Sequence, residues 1–301
     1  MKKSWNLSND AWILWLMALP GVAYFIIFKY TPMLGNVIAF QEYNIFQGIF
    51  NSPWVGFKQF IKMFEYPEFM QIFRNTLILS FYTIVFGFPA PLLFALLLNE
   101  VRWMFFKRVT QTLVYLPHFL SWVIVGGIFI NLLSYDGIIN TVLAGFGLEK
   151  PIDFITQSHY FRGILVITDT WKEVGWGTII YLAAITAVNP NLYEAAMVDG
   201  AGRWKQIWHI TLPSIMSTII VLFLLKIGTF MESNFEQIYI FLNPLVRDVG
   251  EVIDTYVFRV GFQGSKFSYT TAIGIFKSII GLVLIVSLNN ISKKTTGESL
   301  Y

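Results

Sequence analysis

Residues 193–213 read YEAAMVDGAGRWKQIWHITLP, and this polar stretch lies between two strongly apolar runs. Asn189-Pro190 ends the apolar run before it, because proline continues a helix only at the loss of a hydrogen bond. Asn191 is a suitable N-cap for a new short helix, and Gly200 permits the left-handed residue that commonly ends one. A second short helix is predicted over about 202–210. The stretch is therefore predicted to be a compact helix–turn–helix between two long hydrophobic helices.

The composition is that of an integral membrane protein. The 301 residues are 55% hydrophobic and 18% aromatic but only 13% charged, whereas soluble domains have about 25% charged residues. Mean hydropathy is +0.60. The chain has no cysteine, which excludes disulfides, thiolate metal sites and thiol nucleophiles. Lys2 and Lys3 precede an apolar run, 11–28, that is too long for a typical cleaved signal peptide, so we interpret it as an uncleaved first helix.

Six segments are long and apolar enough to cross a bilayer, whose core of about 30 Å needs roughly 20 helical residues. We predict an all-α polytopic membrane protein with six transmembrane helices. They are expected at about 11–30, within 75–99, within 109–135, and at about 161–188, 213–233 and 269–291. Because no internal repeat or linker interrupts the chain, residues 1–301 are predicted to form a single transmembrane domain.

The distribution of lysine and arginine predicts the orientation of these helices. The basic residues are more than twice as dense in the short connections as in the long ones, and such an excess marks the cytoplasmic side. Both termini and the polar stretch are therefore predicted to be cytoplasmic. The short connections are 1–10, 100–111, 190–213 and 293–301; the long, outward-facing ones are 31–75, 134–160 and 234–268.

The polar stretch has two physical interpretations. Small residues would let another backbone approach closely, as a docking element for a cytoplasmic partner requires; they are Ala195, Ala196, Gly200, Ala201 and Gly202. Alternatively, tryptophans would anchor an amphipathic hairpin on lipid headgroups, because Trp204, Ile207 and Trp208 share one side of the second short helix. The residue types alone leave both open.

The spacing of the stretch resembles the EAA loop of ABC importer permeases: E-A-A, three residues, G, nine residues, then I-x-L-P. Every position is filled, by Glu194, Ala195, Ala196, Gly200, Ile210, Leu212 and Pro213. Other stretches are similar to the LplB-like permeases of complex oligosaccharides and polysaccharides. They include FGFPAPLLFALLLNEVR at 86–102, YLPHFLSW at 115–122 and WKEVGWGTIIYLAA at 171–184.

This resemblance implies a MetI-like permease subunit of an ABC carbohydrate importer in the cell membrane. It implies a second homologous permease, two ATP-binding subunits and an extracytoplasmic solute-binding lipoprotein as partners. The chain has no Walker A motif, so another polypeptide is expected to bind ATP and Mg; we predict no enzyme activity, cofactor, metal or nucleic acid for this chain. The residues implied to couple it to the ATPase are Glu194, Ala195, Ala196, Asp199, Gly200, Ile210, Leu212 and Pro213.

Ionisable residues within the predicted membrane helices are the second informative feature, because such groups normally face a cavity or a partner. Asp169 and Glu173 lie on one face of the fourth helix, and Lys172 is spaced to pair with Asp169. Aromatic faces beside hydrogen-bonding groups suit a sugar. We predict a substrate pathway formed by Asp169, Trp171, Lys172, Glu173, Trp176, Tyr181, Lys226 and Lys277. In the alternative interpretation, Lys226 and Lys277 merely neutralise Asp169 and Glu173.

Two other protein classes stay open at this stage. An ion-coupled secondary transporter would use the buried carboxylates Asp169 and Glu173, but it would not need an EAA loop. A membrane-embedded enzyme would need a nucleophile–base pair or a metal set, and no such constellation stands out. The histidines have no metal-ligand spacing, so we expect ordinary roles for His118, His159 and His209.

Overall fold

The computed structural model describes residues 11–147 and 149–297. In these two stretches the chain is predominantly helical, as predicted, and the one β-type pairing is an isolated bridge between Gln41 and Trp54. Lys2 and Lys3, on which part of the orientation prediction rests, lie outside the described residues.

The main helices follow one another in chain order as fourteen labelled elements. They are α1 (Ala11–Phe25), α2 (Lys58–Glu65), α3 (Pro67–Tyr82), α4 (Pro89–Glu100), α5 (Met104–Tyr115), α6 (Trp122–Leu133), α7 (Ile138–Gly145), α8 (Ser158–Thr186), α9 (Pro190–Val198), α10 (Arg203–Gln206), α11 (Met216–Gly228), α12 (Phe235–Phe241), α13 (Ile253–Val257) and α14 (Phe267–Thr296).

Four helical runs in the described chain are long and apolar enough to cross a membrane: Leu14–Phe40, Pro67–Glu100, Trp122–Gly145 and Phe267–Lys294. A fifth span results if Arg203–Ser214 and Met216–Gly228, which meet at a bend of 63°, are taken together. The predicted fourth span is an unbroken 29-residue helix, α8. Because this helix contains charged residues, it is not among the runs that are apolar enough to cross a membrane. Its membrane crossing therefore stays a prediction.

Turns that the sequence does mark define two of the predicted segments more closely. The third apolar run begins at Trp122, inside the predicted 109–135, because a 3₁₀ turn over Leu116–Phe119, which contains a proline, separates it from α5; it continues beyond 135 to Gly145. The fifth predicted helix, 213–233, is regular only over α11. Pro213 precedes the bend at its start, and the chain turns again after Gly228.

One compact unit comprises the residues up to Glu65 together with Val260–Ile275. Its centre is a short hairpin in which the Val55 amide donates to the Phe40 carbonyl at 2.8 Å. The Phe40 ring stacks on Trp54 with centroids 5.7 Å apart. These contacts give the loop after the first apolar run a defined conformation, as the aromatic content of residues 31–75 suggests.

The second compact unit runs from Tyr66 to Arg259 and resumes at Phe276, with α8 as its central helix. One end of α8 packs in a core that contains Phe161, Leu165, Ile238 and Phe241. Its other end packs in a second core with Ala95, Leu98 and Ile215. Buried residues occur along α8 from Phe161 to Ile185, so the two cores hold both ends of the helix in place.

A close approach in the middle of α8 depends on glycine. A Cβ at Gly175 would collide with the backbone of Val114, so only glycine allows the end of α5 to lie directly against α8. This approach brings the turn that carries His118 beside the charged segment of α8.

A polar network holds the segment 247–259 against α3 and α8. Arg259 forms a bidentate ion pair with Glu251, with nitrogen–oxygen distances of 2.7 and 2.8 Å. The Asn75 amide donates to the Glu251 carbonyl at 3.1 Å, and Arg162 donates to Asn75 Oδ1 at 2.8 Å. The hydrogen bonds to Glu251 raise the pKa of the Arg259 guanidinium above its ordinary value.

Candidate functional site

The polar stretch forms a helix–turn–helix close to the predicted one. The first helix, α9, is capped by the Asn189 side chain, which accepts from the Asn191 amide at 3.0 Å. The prediction of Asn191 as the cap is therefore wrong by two residues, because Pro190 occupies the first helical position, where its missing N–H costs nothing. Gly200 has φ +75°, which confirms the predicted left-handed stop.

The second half of the stretch is helical from Arg203 to Ser214, with a π-helical turn over Ile207–Thr211. Gln206 donates to the Ala201 carbonyl at 2.9 Å, and the hydroxyls of Tyr193 and Thr211 lie 2.9 Å apart. These bonds fix the two helices relative to each other. The stretch is thus a defined structural element and not a flexible linker.

The outer surface of this element is open. A Cβ added at Gly200 or Gly202 would meet no atom within 4 Å, and Val198, Trp204 and Trp208 are exposed. Gly200 and Gly202 therefore do not serve packing within the described part of the chain. They leave an uncluttered surface on which another chain can lie.

Three of the five predicted ionisable residues meet at a cavity of about 400 Å³ between α3, α8 and the segment that follows α11. Asp169 and Glu173 both line it, as their spacing predicts, and Lys226 lines it from α11. Asn234 donates to Asp169 Oδ1 at 3.4 Å. The other lining residues include Thr83, Thr229, Glu232, Ser233 and Gln237, so the cavity wall is rich in hydrogen-bonding groups.

Lys172 does not pair with Asp169. Its ammonium donates to the His118 carbonyl at 2.8 Å and to Glu173 Oε1 at 3.3 Å, and only 7% of its side chain is exposed. The same ammonium lies over the Trp122 ring, 5.5 Å from the ring centroid. The pairing prediction from helical spacing fails because the turn over 116–119 supplies a carbonyl acceptor on the Lys172 side of α8.

His118 is the functional candidate that the sequence interpretation missed. Its Nδ1 lies 2.8 Å from Glu173 Oε2, and its ring stacks on Trp176 at 4.7 Å with an interplanar angle of 6°. Glu173 therefore bridges His118 and Lys172 while it faces the cavity. Pro117, which marks a turn before the histidine, was the available signal, but only the fold brings that turn to α8.

Five of the eight predicted pathway residues do not line this cavity. Lys172 and Trp176 belong to the cluster beside it, and the other three lie elsewhere. Tyr181 is buried in the core around Ala95 and Leu182, and its hydroxyl has no partner among the described residues. Trp171 lines a separate apolar groove with Tyr82 and Phe86. Lys277 pairs with Asp254, so the alternative in which it neutralises Asp169 or Glu173 is wrong. Asp254 lies in the short helix α13, and spacing along the sequence does not connect it to α14.

Within the described stretches, no group of three or more histidine or acidic side chains is arranged to hold a metal ion. The site thus consists of a polar cavity with an adjoining carboxylate–imidazole–ammonium cluster, and of a separate exposed helix–turn–helix at the end of the same long helix. In a chain with several helices long and apolar enough to cross a membrane, a polar cavity of this kind is the arrangement of a transport protein.

Comparison with known proteins establishes the family. Residues 73–297 match the profile of the binding-protein-dependent transport system inner membrane component, and the chain belongs to this family. The polygalacturonan/rhamnogalacturonan transport system permease protein YteP of Bacillus subtilis (strain 168) is 52% identical over 289 residues, which cover 96% of this chain and 90% of YteP. Protein LplB of the same organism is 47% identical over 296 residues, 98% of this chain and 92% of LplB.

Solved structures agree with this assignment. A chain of a bacterial ABC transporter involved in the import of the acidic polysaccharide alginate has a TM-score of 0.89 and 42% identity, over 95% of this chain and 96% of that one. A chain of the alginate transporter in complex with a pentasaccharide-bound periplasmic protein has a TM-score of 0.90 and 41% identity, over 97% of both chains.

These findings confirm three predictions from the sequence. The chain has the MetI-like permease fold, it is an inner-membrane permease component of an ABC transporter, and it is a transport subunit rather than an enzyme. The alternative of an ion-coupled secondary transporter has no support among these proteins.

Proposed function

We propose that this permease imports a carbohydrate, an oligosaccharide or a fragment of a polysaccharide, into the cytoplasm. The observation that carries the proposal is the cavity at Asp169, Glu173 and Lys226, whose wall offers many hydrogen-bond donors and acceptors to sugar hydroxyls. Its relatives named for polygalacturonan, rhamnogalacturonan and alginate support the same substrate class.

The proposed topology has six membrane helices and two cytoplasmic termini in a multi-pass protein of the cell membrane, with residues 1–301 acting as one domain. The four apolar runs, the bent pair Arg203–Ser214 and Met216–Gly228 counted as one span, and the 29-residue α8 together supply six. The Lys/Arg distribution supports the orientation, which leaves 190–213 in the cytoplasm.

The proposed assembly contains this chain, a second homologous permease, two ATP-binding subunits that hold ATP and Mg, and an extracytoplasmic solute-binding lipoprotein. The exposed helix–turn–helix would be the contact with an ATP-binding subunit. Glu194, Ala195, Ala196, Asp199 and Gly200 form its first half, and Ile210, Leu212 and Pro213 join its second half to α11.

The mechanism we propose is alternating access. ATP closes the two ATP-binding subunits on each other, the helix–turn–helix transmits that motion to α8 and α11, and the cavity becomes open to the outside. Asp169, Glu173 and Lys226 would then bind sugar hydroxyls. Lys172 and His118 would hold the Glu173 carboxylate in place, with Trp176 as the adjacent aromatic face.

Co-purification from the native membrane, followed by reconstitution into proteoliposomes, tests this proposal. The complex is expected to contain a second permease, an ATPase and a solute-binding protein, and to hydrolyse ATP faster when the binding protein carries an oligosaccharide. A chain that purifies alone and transports without ATP would contradict the proposal.

A further inference from the structure

The hairpin in the first compact unit ends in an exposed aromatic tip, residues 44–51. Phe46 and Phe50 expose 97% and 99% of their surface, and Ile45 and Ile49 flank them on the exposed side. Two almost fully exposed phenylalanines side by side are unusual on a polar protein surface. Apolar side chains grouped in this way mark an interaction surface.

Side-chain hydrogen bonds hold the tip in one shape. Ser52 Oγ accepts from the Asn44 amide at 3.0 Å and donates to the Gly48 carbonyl at 2.6 Å. Gln41 donates to the Ile49 carbonyl at 2.9 Å, and Gly48 has φ +71°, which favours glycine. The phenylalanines are therefore presented from a pre-organised loop, which lowers the entropic cost of binding.

The chemistry of the tip favours a protein partner over lipid. From residue 43 to residue 57 the chain carries no charged side chain, and the ion pair Glu42–Lys58, at 3.5 Å, lies at the base of the hairpin. An aromatic centre without charges and a polar rim are typical of protein interfaces. Interfacial membrane anchors instead place lysine and arginine beside their apolar residues, and residues 44–51 contain neither.

The position of the tip along the chain points to the outer side. The apolar helical run Leu14–Phe40 has 27 residues, about 40 Å at 1.5 Å per residue, whereas the bilayer core is about 30 Å thick. The hairpin follows this run directly and, in the proposed orientation, starts outside the hydrocarbon layer. A protein that reaches this side and must dock on a permease of this family is the solute-binding protein.

We propose that the tip is a docking anchor for the solute-binding protein, with Phe46 and Phe50 as its principal contacts. The inference rests on the proposed function, because it takes the outward orientation and the partner class from it. It adds a specific surface to them: the two phenylalanines would insert into an apolar recess of the incoming protein and leave with it after delivery.

The test uses the reconstituted complex and the binding protein identified by the co-purification above, loaded with the same oligosaccharide. ATP hydrolysis is measured against the concentration of binding protein for the wild type, Phe46→Ser, Phe50→Ser and the double variant. We expect each single change to raise the half-saturating concentration about tenfold, with the maximal rate unchanged, since truncated interface anchors commonly cost this much. Phe146→Ser is the matched control: Phe146 is 87% exposed in another outward-facing connection, and its variant is expected to match the wild type.

The outcomes separate this inference from the proposed function. Absence of stimulation in the wild type would count against the proposed function itself. Normal stimulation with the same half-saturating concentration in the double variant would overturn only the docking role of the tip. A lower maximal rate or poorer assembly, with half-saturation unchanged, would assign the tip to the second permease or to lipid and would also overturn the proposal.

A label provides an independent measurement. Because the chain has no cysteine, Phe46→Cys gives the permease a single thiol for an environment-sensitive fluorophore. The emission is expected to shift to shorter wavelength when the loaded binding protein is added and to stay at its aqueous value in proteoliposomes without it. A blue-shifted emission already present without the binding protein would indicate lipid or permease contact instead.

Discussion

Glu173 is the residue in which the structure changes the expected chemistry most. The sequence indicates a carboxylate on the Asp169 face of α8, and the cavity confirms that placement. The fold also gives Glu173 two partners, His118 and the almost fully buried Lys172. A buried ammonium that loses its counter-charge is costly, so any substitution of Glu173 has a structural effect as well as a transport effect.

We predict that Glu173→Gln lowers the yield and the thermal stability of the complex, by about 3 kcal/mol, because it leaves Lys172 without its carboxylate. Adding Lys172→Met is expected to restore stability but not uptake, if the carboxylate binds substrate. Lys226→Met serves as the control second change and should rescue neither. Stability is followed by thermal unfolding, and uptake is expressed per assembled complex in vesicles. Full uptake in Glu173→Gln would remove the case for a substrate-binding carboxylate.

A second prediction concerns the Tyr181 hydroxyl, which is buried without a partner in the described structure. An unsatisfied buried hydroxyl opposes folding, so Tyr181→Phe is expected to leave uptake unchanged and to raise stability by up to about 1 kcal/mol. Thermal unfolding and uptake assays provide the measurement. A clear loss of uptake in Tyr181→Phe would show instead that Tyr181 belongs to the substrate pathway, as the sequence analysis predicts.

The helix–turn–helix was the most predictable element, because its structure depends on local chemistry: Pro190 begins α9 and Gly200 ends it. The contacts of His118, Lys172 and Lys277 were not predictable, because each partner lies many residues away along the chain or on a turn whose direction no local rule sets. The charged helix α8 was found from its length and pattern. Which of its side chains reach the cavity depends on packing against α3, α5 and α11.

At this scale we predict that Gly200→Val uncouples transport from ATP hydrolysis, whereas Gly202→Val has a smaller effect. Both added side chains would project into open space, but only Gly200 has a positive φ, where a side chain costs about 1 kcal/mol or more. Substrate-stimulated ATPase activity and uptake are measured together in proteoliposomes. Equal, wild-type coupling in both variants would exclude a coupling role for the left-handed turn.

The polar network at segment 247–259 gives an asymmetric prediction. The Glu251 side chain is 4% exposed, whereas Arg259 is 32% exposed. Arg259→Met is therefore expected to destabilise by about 3 kcal/mol, because it strands a buried carboxylate, and Glu251→Gln by less, because the guanidinium can reach solvent. Thermal unfolding of the two purified variants measures both losses of stability. A larger loss in Glu251→Gln than in Arg259→Met would mean that Glu251 has another cationic partner.

For the whole molecule, the orientation is tested with the cysteine-free chain as background. A cysteine replacing Phe146 is expected to react with a membrane-impermeant maleimide in cells whose outer side is accessible. A cysteine replacing Trp204 should react only after permeabilisation, and the parent chain should not react at all. Both side chains are exposed in the single chain, so in cells that express this chain without its partner subunits a failure to react reports the side of the membrane rather than burial. The reversed pattern would invert the proposed topology.

The continuity of α8 has a mechanical consequence. Glu173 and the end of the helix at Thr186 are 13 residues apart in one unbroken helix, about 20 Å at 1.5 Å per residue, and α9 begins only four residues further on. If the helix moves as a stiff rod, pivoting where Gly175 touches the backbone of Val114, it acts as a lever whose arm from Gly175 to Thr186 is much longer than its arm from Gly175 to Glu173. A large displacement of the helix–turn–helix would then become a small, forceful one at the Glu173 carboxylate.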